Sequence, residues 1–193
     1  MEKKRRITLS DWERAVSTEF NQLKASHTQC VILAHSLGGC VTTYLGQAGN
    51  VRPDALVLYA PMFGISSKRS PLLPTRTWFN IGKHILPNSL ILESLFEDHS
   101  LAGNARPRTR RDPFVPVSMY KELYRLMELR DAQEPRLPFP VRLTLPETDD
   151  VVDSAKASAW LDALEAPDTR KTVLPGTGHV LPLDLDELAE TDR

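Results

Sequence analysis

The sequence predicts an α/β fold in which a mostly parallel sheet is flanked by helices. Apolar runs, which are typical of buried parallel strands, occur at 30–34, 55–61 and 141–145. Helical spacing of apolar residues follows the first and the third run. Strands that alternate with helices form parallel β-α units, and a chain of 193 residues is long enough for one sizeable core.

The first predicted helix covers 10–24. Ser10 and Glu13 match a capping box at its start, and apolar residues then recur on one helical face. The run 30–34 predicts a strand that is apolar on both faces, which is typical of the middle of a parallel sheet. A second helix is expected from Leu37 to about Gly46.

The sequence has a different character between residues 62 and 139. Most of the prolines lie there, together with a basic patch at 106–112 and an amphipathic helix around 117–129. After it, the pattern returns to a strand at 141–145, a helix at 154–164, and a last short strand with its loop. An acidic helix is expected from Pro182. We predict that 1–61 and 140–193 form the core and that 62–139 is an insertion.

The composition excludes several classes of function. The net charge is −1 and the pI is near 6.5, so no global field attracts nucleic acid or an anionic bilayer. Cys30 and Cys40 are interpreted as small buried hydrophobes rather than a disulfide. No apolar stretch has the length of a signal peptide or a membrane span, and we expect a cytoplasmic protein.

Neither a metal site nor a dinucleotide site is predicted. The histidines and acidic residues show no ligand spacing of the H-E-x-x-H type, and the glycines do not form a G-x-G-x-x-G turn.

The segment "AHSLGG" predicts a nucleophile elbow centred on Ser36. Such an elbow is a tight strand-to-helix turn that needs small residues two before and two after the serine, here Ala34 and Gly38. The Leu37 N–H at the start of the helix is placed to donate to a developing oxyanion. His35 is expected to shape the turn rather than to transfer protons. The alternative is a glycine-rich turn with an incidental serine.

A nucleophilic serine needs a histidine as base and a carboxylate that orients this histidine. His179 lies late in the chain, in the loop "GTGHV" after a strand, and it is the candidate base. The candidate acid is Asp149, in a loop that also offers Glu147, Asp150 and Asp153. That charged cluster is alternatively only a solvated loop. The remaining histidines, interpreted as solvated or structural, are His27, His84 and His99.

Three independent placements coincide in this prediction. Ser36, Asp149 and His179 each follow a predicted strand, and the carboxyl ends of parallel strands meet at one edge of a sheet. We therefore expect the three side chains to form a catalytic triad.

With these motifs, the chain resembles the α/β-hydrolase superfamily, and within it the monoacylglycerol lipase, carboxylesterase and serine-aminopeptidase-like branch. The matching segments are "AHSLGG", "PETDDVVD" and "GTGHVLPLD". The resemblance implies hydrolysis of esters with an apolar acyl group through an acyl-enzyme, without a cofactor. It also implies that 62–139 is a cap over the pocket, and we expect peripheral membrane contact through this cap. The alternative for the apolar patches of this segment is ordinary packing of helices onto the core.

One part of the superfamily pattern has no counterpart here. The elbow strand of such hydrolases is preceded by further strands, and one of their loops donates the second oxyanion N–H. The residues before the strand 30–34 predict only a tail, a helix and a loop. We therefore expect a partial α/β-hydrolase fold with this strand at an edge, open to self-association.

Three explanations for this difference stay open: a truncated product, an edge supplied by another chain, or lost activity. The leading function is a serine ester hydrolase, and an acyltransferase would use the same triad. The alternative is an impaired hydrolase-fold fragment that binds a ligand or a partner.

Overall fold

A computed structural model describes residues 7–68, 75–85, 90–92 and 114–182. Its elements in chain order are α1 Leu9–Ser26, β1 Val31–His35, α2 Leu37–Gln47, β2 Ala55–Tyr59, α3 Thr75–Ile85, β3 Leu90–Leu92, β4 Phe114–Pro116, α4 Val117–Asp131, β5 Val141–Pro146, α5 Ser154–Asp162 and β6 Thr169–Leu174. The predicted basic patch at 106–112 and the acidic segment after Pro182 lie outside the described residues.

Four strands form one parallel sheet in the order β1-β2-β5-β6. The short strands β3 and β4 form a separate antiparallel pair. Within the described part of the chain, β1 pairs on one side only, so it lies at an edge of the sheet. The prediction of a central strand from its apolarity on both faces is therefore wrong, and the edge position that we expected from the residues before this strand is the observed one.

The two faces of the sheet differ in what covers them. Ala34, Leu58 and Leu143 lie side by side on one face and are buried, and each such side chain contributes about 1.5–3 kcal/mol when it is large and fully buried. Helix α2 packs on this face. On the other face, Val31 and Leu33 are 60% and 62% exposed.

Helix α1 begins earlier than the sequence pattern predicts. Its N-cap is Thr8, and the capping partner is Asp11, whose carboxylate accepts the Thr8 N–H at 3.0 Å and the Thr8 hydroxyl at 2.8 Å. The predicted box of Ser10 and Glu13 is wrong by two residues. Leu9 is buried and donates its N–H to Glu122 of α4, so the first turn is held against the core.

Helix α4 falls within the interval predicted to be the cap, yet it packs on α2 and α1. Leu126, on this helix, is fully buried in the main core. One helix of the interval 62–139 is therefore part of the core. The extent of the cap stays a prediction. No helix in the described ranges has the length and apolarity that crossing a membrane requires.

Candidate active site

Ser36 occupies the turn between β1 and α2 with φ 51° and ψ −119°. A positive φ is costly for a residue with a Cβ, about 1–3 kcal/mol, and persists where the surroundings over-determine it. Three backbone hydrogen bonds do so here. The Ser36 N–H donates to the Tyr59 carbonyl at 3.1 Å, and the Ser36 carbonyl accepts from Met62 at 2.8 Å and Cys40 at 3.3 Å.

Close packing at this turn occurs at Gly39 rather than at Gly38. A Cβ on Gly39 would lie 2.7 Å from the Cβ of Pro61, whereas a Cβ on Gly38 would meet nothing within 4 Å. The expectation that Gly38 must be small is therefore wrong: the residue that must be small is Gly39, and the crowding comes from the loop after β2, which the pattern does not contain.

Asp149 is buried at the carboxyl end of β5, with 5% of its surface exposed. One carboxylate oxygen accepts the backbone N–H groups of Val151 and Val152, both at 2.8 Å. The other oxygen faces the His179 ring. The backbone bonds fix the plane of the carboxylate, so the second oxygen has one orientation.

His179 lies in the loop after β6 and joins the other two residues. Its Nδ1–H donates to Asp149 at 3.0 Å, because a carboxylate can only accept. In the neutral ring Nε2 is then the acceptor, and the Ser36 hydroxyl donates to it at 3.0 Å. The structure thus brings all three candidate residues into one hydrogen-bonded row.

The Leu37 N–H lies at the start of α2, beside the Ser36 hydroxyl. The first N–H groups of a helix have no partner within the helix. Among the described residues, none accepts a hydrogen bond from the Leu37 N–H. It is therefore able to donate to an oxygen bound next to Ser36.

The other acids of the loop have separate tasks. Asp153 caps α5 by accepting the N–H groups of Ala155 and Lys156. Asp150 is exposed, with Lys68 3.9 Å away. Glu147 accepts the Gly176 N–H at 2.8 Å and so connects the acid loop to the histidine loop, a partner that the sequence did not indicate.

The side chains of two other histidines are described, whereas the side chain of His84 and the whole of His99 lie outside the described part of the chain. His27 is exposed and contacts the end of α1. His35 contacts His179: its Nε2–H donates to the His179 carbonyl at 2.8 Å, and the two rings are 4.9 Å apart. Burial lowers the pKa of His35 below its usual value. No sequence signal could have found this contact, because its acceptor is a backbone carbonyl, which every residue carries.

Cys40 lies one turn into α2 and is completely buried. Burial raises the pKa of its thiol to about 12. The Cys40 thiol is therefore neither ionised nor accessible at neutral pH, and Ser36 remains the candidate nucleophile of this turn.

No group of three or more side chains suited to binding a metal ion occurs within the described ranges. A cavity of about 760 Å³ lies at the opposite end of the sheet, near the end of α2 and the start of β5. Its lining includes Arg52, Arg136 and Glu165 and none of Ser36, Asp149 and His179, so it is separate from the hydrogen-bonded row.

A family model described as "Serine aminopeptidase, S33" matches residues 8–186. The chain belongs to this family of hydrolases. The resemblance inferred from the sequence motifs is thereby confirmed. A search of curated proteins found no match to this chain.

Solved structures of other proteins have the same fold as this chain. It is similar to a monoacylglycerol lipase of Paleococcus ferrophilus, with 14% identity, a TM-score of 0.66, and coverage of 92% of this chain and 69% of that one. A monoglyceride lipase of Saccharomyces cerevisiae is 13% identical, with a TM-score of 0.66 and coverage of 95% of this chain and 68% of that one. A structure of metagenome-derived lipolytic enzymes is 15% identical, with a TM-score of 0.71 and coverage of 96% of this chain and 72% of that one. The likeness confirms the predicted α/β-hydrolase fold.

Proposed function

We propose that this hydrolase cleaves carboxylic esters through an acyl-enzyme, with Ser36 as nucleophile, His179 as base and Asp149 as the orienting acid. The observation that carries the proposal is the row of two 3.0 Å hydrogen bonds that ends on a serine in a strained turn. A hydroxyl, an imidazole and a buried carboxylate in this order form an activated nucleophile.

In the first half of the reaction, Ser36 Oγ attacks the ester carbonyl while His179 Nε2 takes the hydroxyl proton. The carbonyl oxygen becomes an oxyanion, to which the Leu37 N–H donates. Asp149 stabilises the imidazolium that forms. The tetrahedral intermediate then expels the alkoxide, which receives the proton from His179 and leaves as an alcohol.

In the second half, water attacks the acyl group and gives its proton to His179. Collapse of this intermediate returns the proton to Ser36 and releases the carboxylic acid, so atoms and charge balance without a cofactor. An alcohol in place of water would make the same residues an acyltransferase.

The substrate class is proposed from the relatives. Two of the similar structures are named as a monoacylglycerol lipase and a monoglyceride lipase, and a third contains lipolytic enzymes. By analogy we propose a small ester with an apolar acyl group as the substrate. Peripheral membrane contact through the predicted cap stays a prediction.

Covalent labelling with a fluorophosphonate tests the proposal. The folded protein is expected to incorporate one label, and Ser36→Ala is expected to abolish labelling. Ser10→Ala is the matched control, because Ser10 is exposed on α1 and belongs to neither the row nor the turn. Labelling that survives Ser36→Ala, or its absence in folded wild-type protein, contradicts the proposal.

The substrate is then defined with p-nitrophenyl esters of increasing acyl length. We expect kcat/KM to rise from acetate to longer acyl chains, since each buried methylene contributes about 0.8 kcal/mol. Product analysis with added glycerol separates the two acceptors, because an acyltransferase forms a glycerol ester at the expense of free acid.

A second candidate function is partner binding through β1. It is favoured by the exposure of Val31 and Leu33 on a strand that lies at the edge of the described sheet. Apolar edge strands pair readily with another chain. Folded protein that is not labelled and that self-associates in sedimentation would favour this candidate over the hydrolase.

A further inference from the structure

His35 connects the strand that carries the candidate nucleophile to the loop that carries the candidate base. It is the last residue of β1 and directly precedes Ser36. Its ring is half-buried and lies against the His179 ring, with the ring centroids 4.9 Å apart and the planes tilted by 45°.

The direction of the hydrogen bond between these residues follows from the chemistry of its acceptor. A backbone carbonyl only accepts, so His35 Nε2 must carry a proton to bind the His179 oxygen at 2.8 Å. In the neutral ring Nδ1 is then unprotonated. The contact therefore selects one of the two neutral tautomers of His35.

Two glycines precede His179 in the histidine loop. Gly176 has φ 70°, and Gly178 directly precedes His179. Glycines leave the chain more backbone conformations than other residues would, so contacts with neighbouring groups fix the path of this loop. Glu147 accepts the Gly176 N–H, and the Thr177 hydroxyl donates to the Leu174 carbonyl. The Thr177 carbonyl accepts the Thr148 N–H at 3.4 Å. The bond from His35 holds the backbone of His179 itself.

We propose that His35 is a positioning residue, whose Nε2–H holds the His179 carbonyl so that the His179 ring stays between Asp149 and Ser36. The two ring contacts of His179 need its backbone in one place, and His35 supplies a support attached to the strand next to the nucleophile. The kinetic consequence rests on the proposed function, whereas the contact itself does not.

A measurement on the wild-type protein tests the tautomer. Long-range ¹⁵N–¹H NMR correlations distinguish a protonated Nε2 from a protonated Nδ1. At neutral pH we expect His35 with the proton on Nε2 and His179 with the proton on Nδ1. A His35 ring protonated on Nδ1 alone has no donor for the His179 carbonyl and overturns the proposal.

Three variants test the consequence. His35→Phe keeps a ring but removes the donor, and His35→Gln keeps an N–H donor at a similar distance from the backbone. His27→Phe is the matched control, because His27 is exposed and contacts only the end of α1 among the described residues. Thermal unfolding establishes that each variant is folded.

We expect His35→Phe to lower kcat by about 10-fold to 100-fold, since small misplacements of catalytic groups have effects of this size. KM is expected to stay within about twofold, since the substrate is not contacted. His35→Gln should recover most of kcat, and His27→Phe should equal wild type. A merely structural role of His35 would not be rescued selectively by a donor. Equal kcat in the two phenylalanine variants overturns the proposal.

The Nδ1 proton of His179, followed by ¹H NMR, gives a readout that needs no activity. His179 Nδ1–H donates to Asp149 with 3.0 Å between the heavy atoms, so a ring that moves away from Asp149 exposes this proton to exchange with water. We expect the Nδ1 proton of His179 to exchange faster in His35→Phe and to return towards the wild-type rate in His35→Gln. An unchanged exchange rate contradicts the proposal.

These readouts separate the two proposals. Absence of Ser36 labelling in folded wild-type protein refutes the hydrolase mechanism, yet the tautomer of His35 and the exchange of the His179 Nδ1 proton still decide the role of His35. If His35→Phe does not fold, the tautomer and the His35→Gln variant decide it.

Discussion

The turn that carries Ser36 and the two loops that carry Asp149 and His179 are held in different ways. The turn is held by backbone, with a positive φ, three backbone hydrogen bonds and the close approach of Gly39 to Pro61. The loops are held by backbone bonds and, in addition, by side chains such as Glu147 and His35 that reach across the chain. No single side-chain substitution removes the bonds of the turn, whereas each side-chain contact of the loops can be removed separately.

The largest effect is expected where the loops meet the chemistry. Asp149→Asn should lower kcat by about 10⁴-fold, because an amide does not hold His179 in the tautomer that accepts from Ser36. Steady-state hydrolysis of a p-nitrophenyl ester measures it. Asp150→Asn, one residue further and exposed, should leave kcat unchanged, and equal losses in both variants would contradict the assignment of the acid.

The next effect concerns the turn. Gly39→Ala should lower the free energy of unfolding by about 1–3 kcal/mol, because the new Cβ overlaps Pro61 and the loop must move. Gly38→Ala meets open space and should raise it by up to about 1 kcal/mol through helix propensity. Urea unfolding compares the two variants. Equal stabilities would show that the packing of the turn does not depend on Gly39.

A smaller effect is expected for the contact between the loops. Glu147→Ala removes the acceptor of the Gly176 N–H and should lower the free energy of unfolding by about 0.5–1.5 kcal/mol. Glu147→Gln retains an acceptor oxygen and should lose less. Hydrogen exchange at the Gly176 amide is the direct measurement, and unchanged protection in the alanine variant would refute the contact.

The smallest effect is expected at the amino-terminal end of β1, the strand that leads into the Ser36 turn. Asp54 accepts the Cys30 N–H at 2.7 Å and pairs with Lys24 at 2.9 Å, and these contacts, the first above all, hold its pKa below the usual value. A lowered pKa in the folded state stabilises the protein above the unfolded pKa of about 3.9, and this contribution is lost as pH falls through the folded value.

Asp54→Asn should therefore be less stable than wild type at pH 7, with a difference that shrinks in acid. Urea unfolding at pH 7 and near pH 3 measures this difference. A difference that does not change with pH would mean that the charge of Asp54 has no part in anchoring β1.

The sequence predicts most elements because their signals are local. Apolar runs locate three of the four strands of the sheet closely, and the strand-to-helix turn at Ser36 follows from the spacing of small residues. Local patterns also compete: Thr8 and Ser10 both begin a possible capping box, and the burial of Leu9 against α4 decides for Thr8. That burial depends on a helix more than a hundred residues away.

The candidate site shows the same limit. Chain order and motifs select Ser36, Asp149 and His179, and the structure places them in one row, while their catalytic roles remain a proposal. The supports of this row are not visible in the sequence. His35 and Glu147 make contacts over 144 and 29 positions, and neither residue type indicates its partner.

The burial of Cys40 has a practical consequence. A thiol with a pKa of about 12 carries almost no thiolate at neutral pH, and no surface of this residue is open to solvent. Alkylating reagents such as maleimides should therefore modify Cys30, which is partly exposed, and spare Cys40. A fluorophore could thus be attached at the start of β1 in the unmutated protein without altering the helix that follows Ser36.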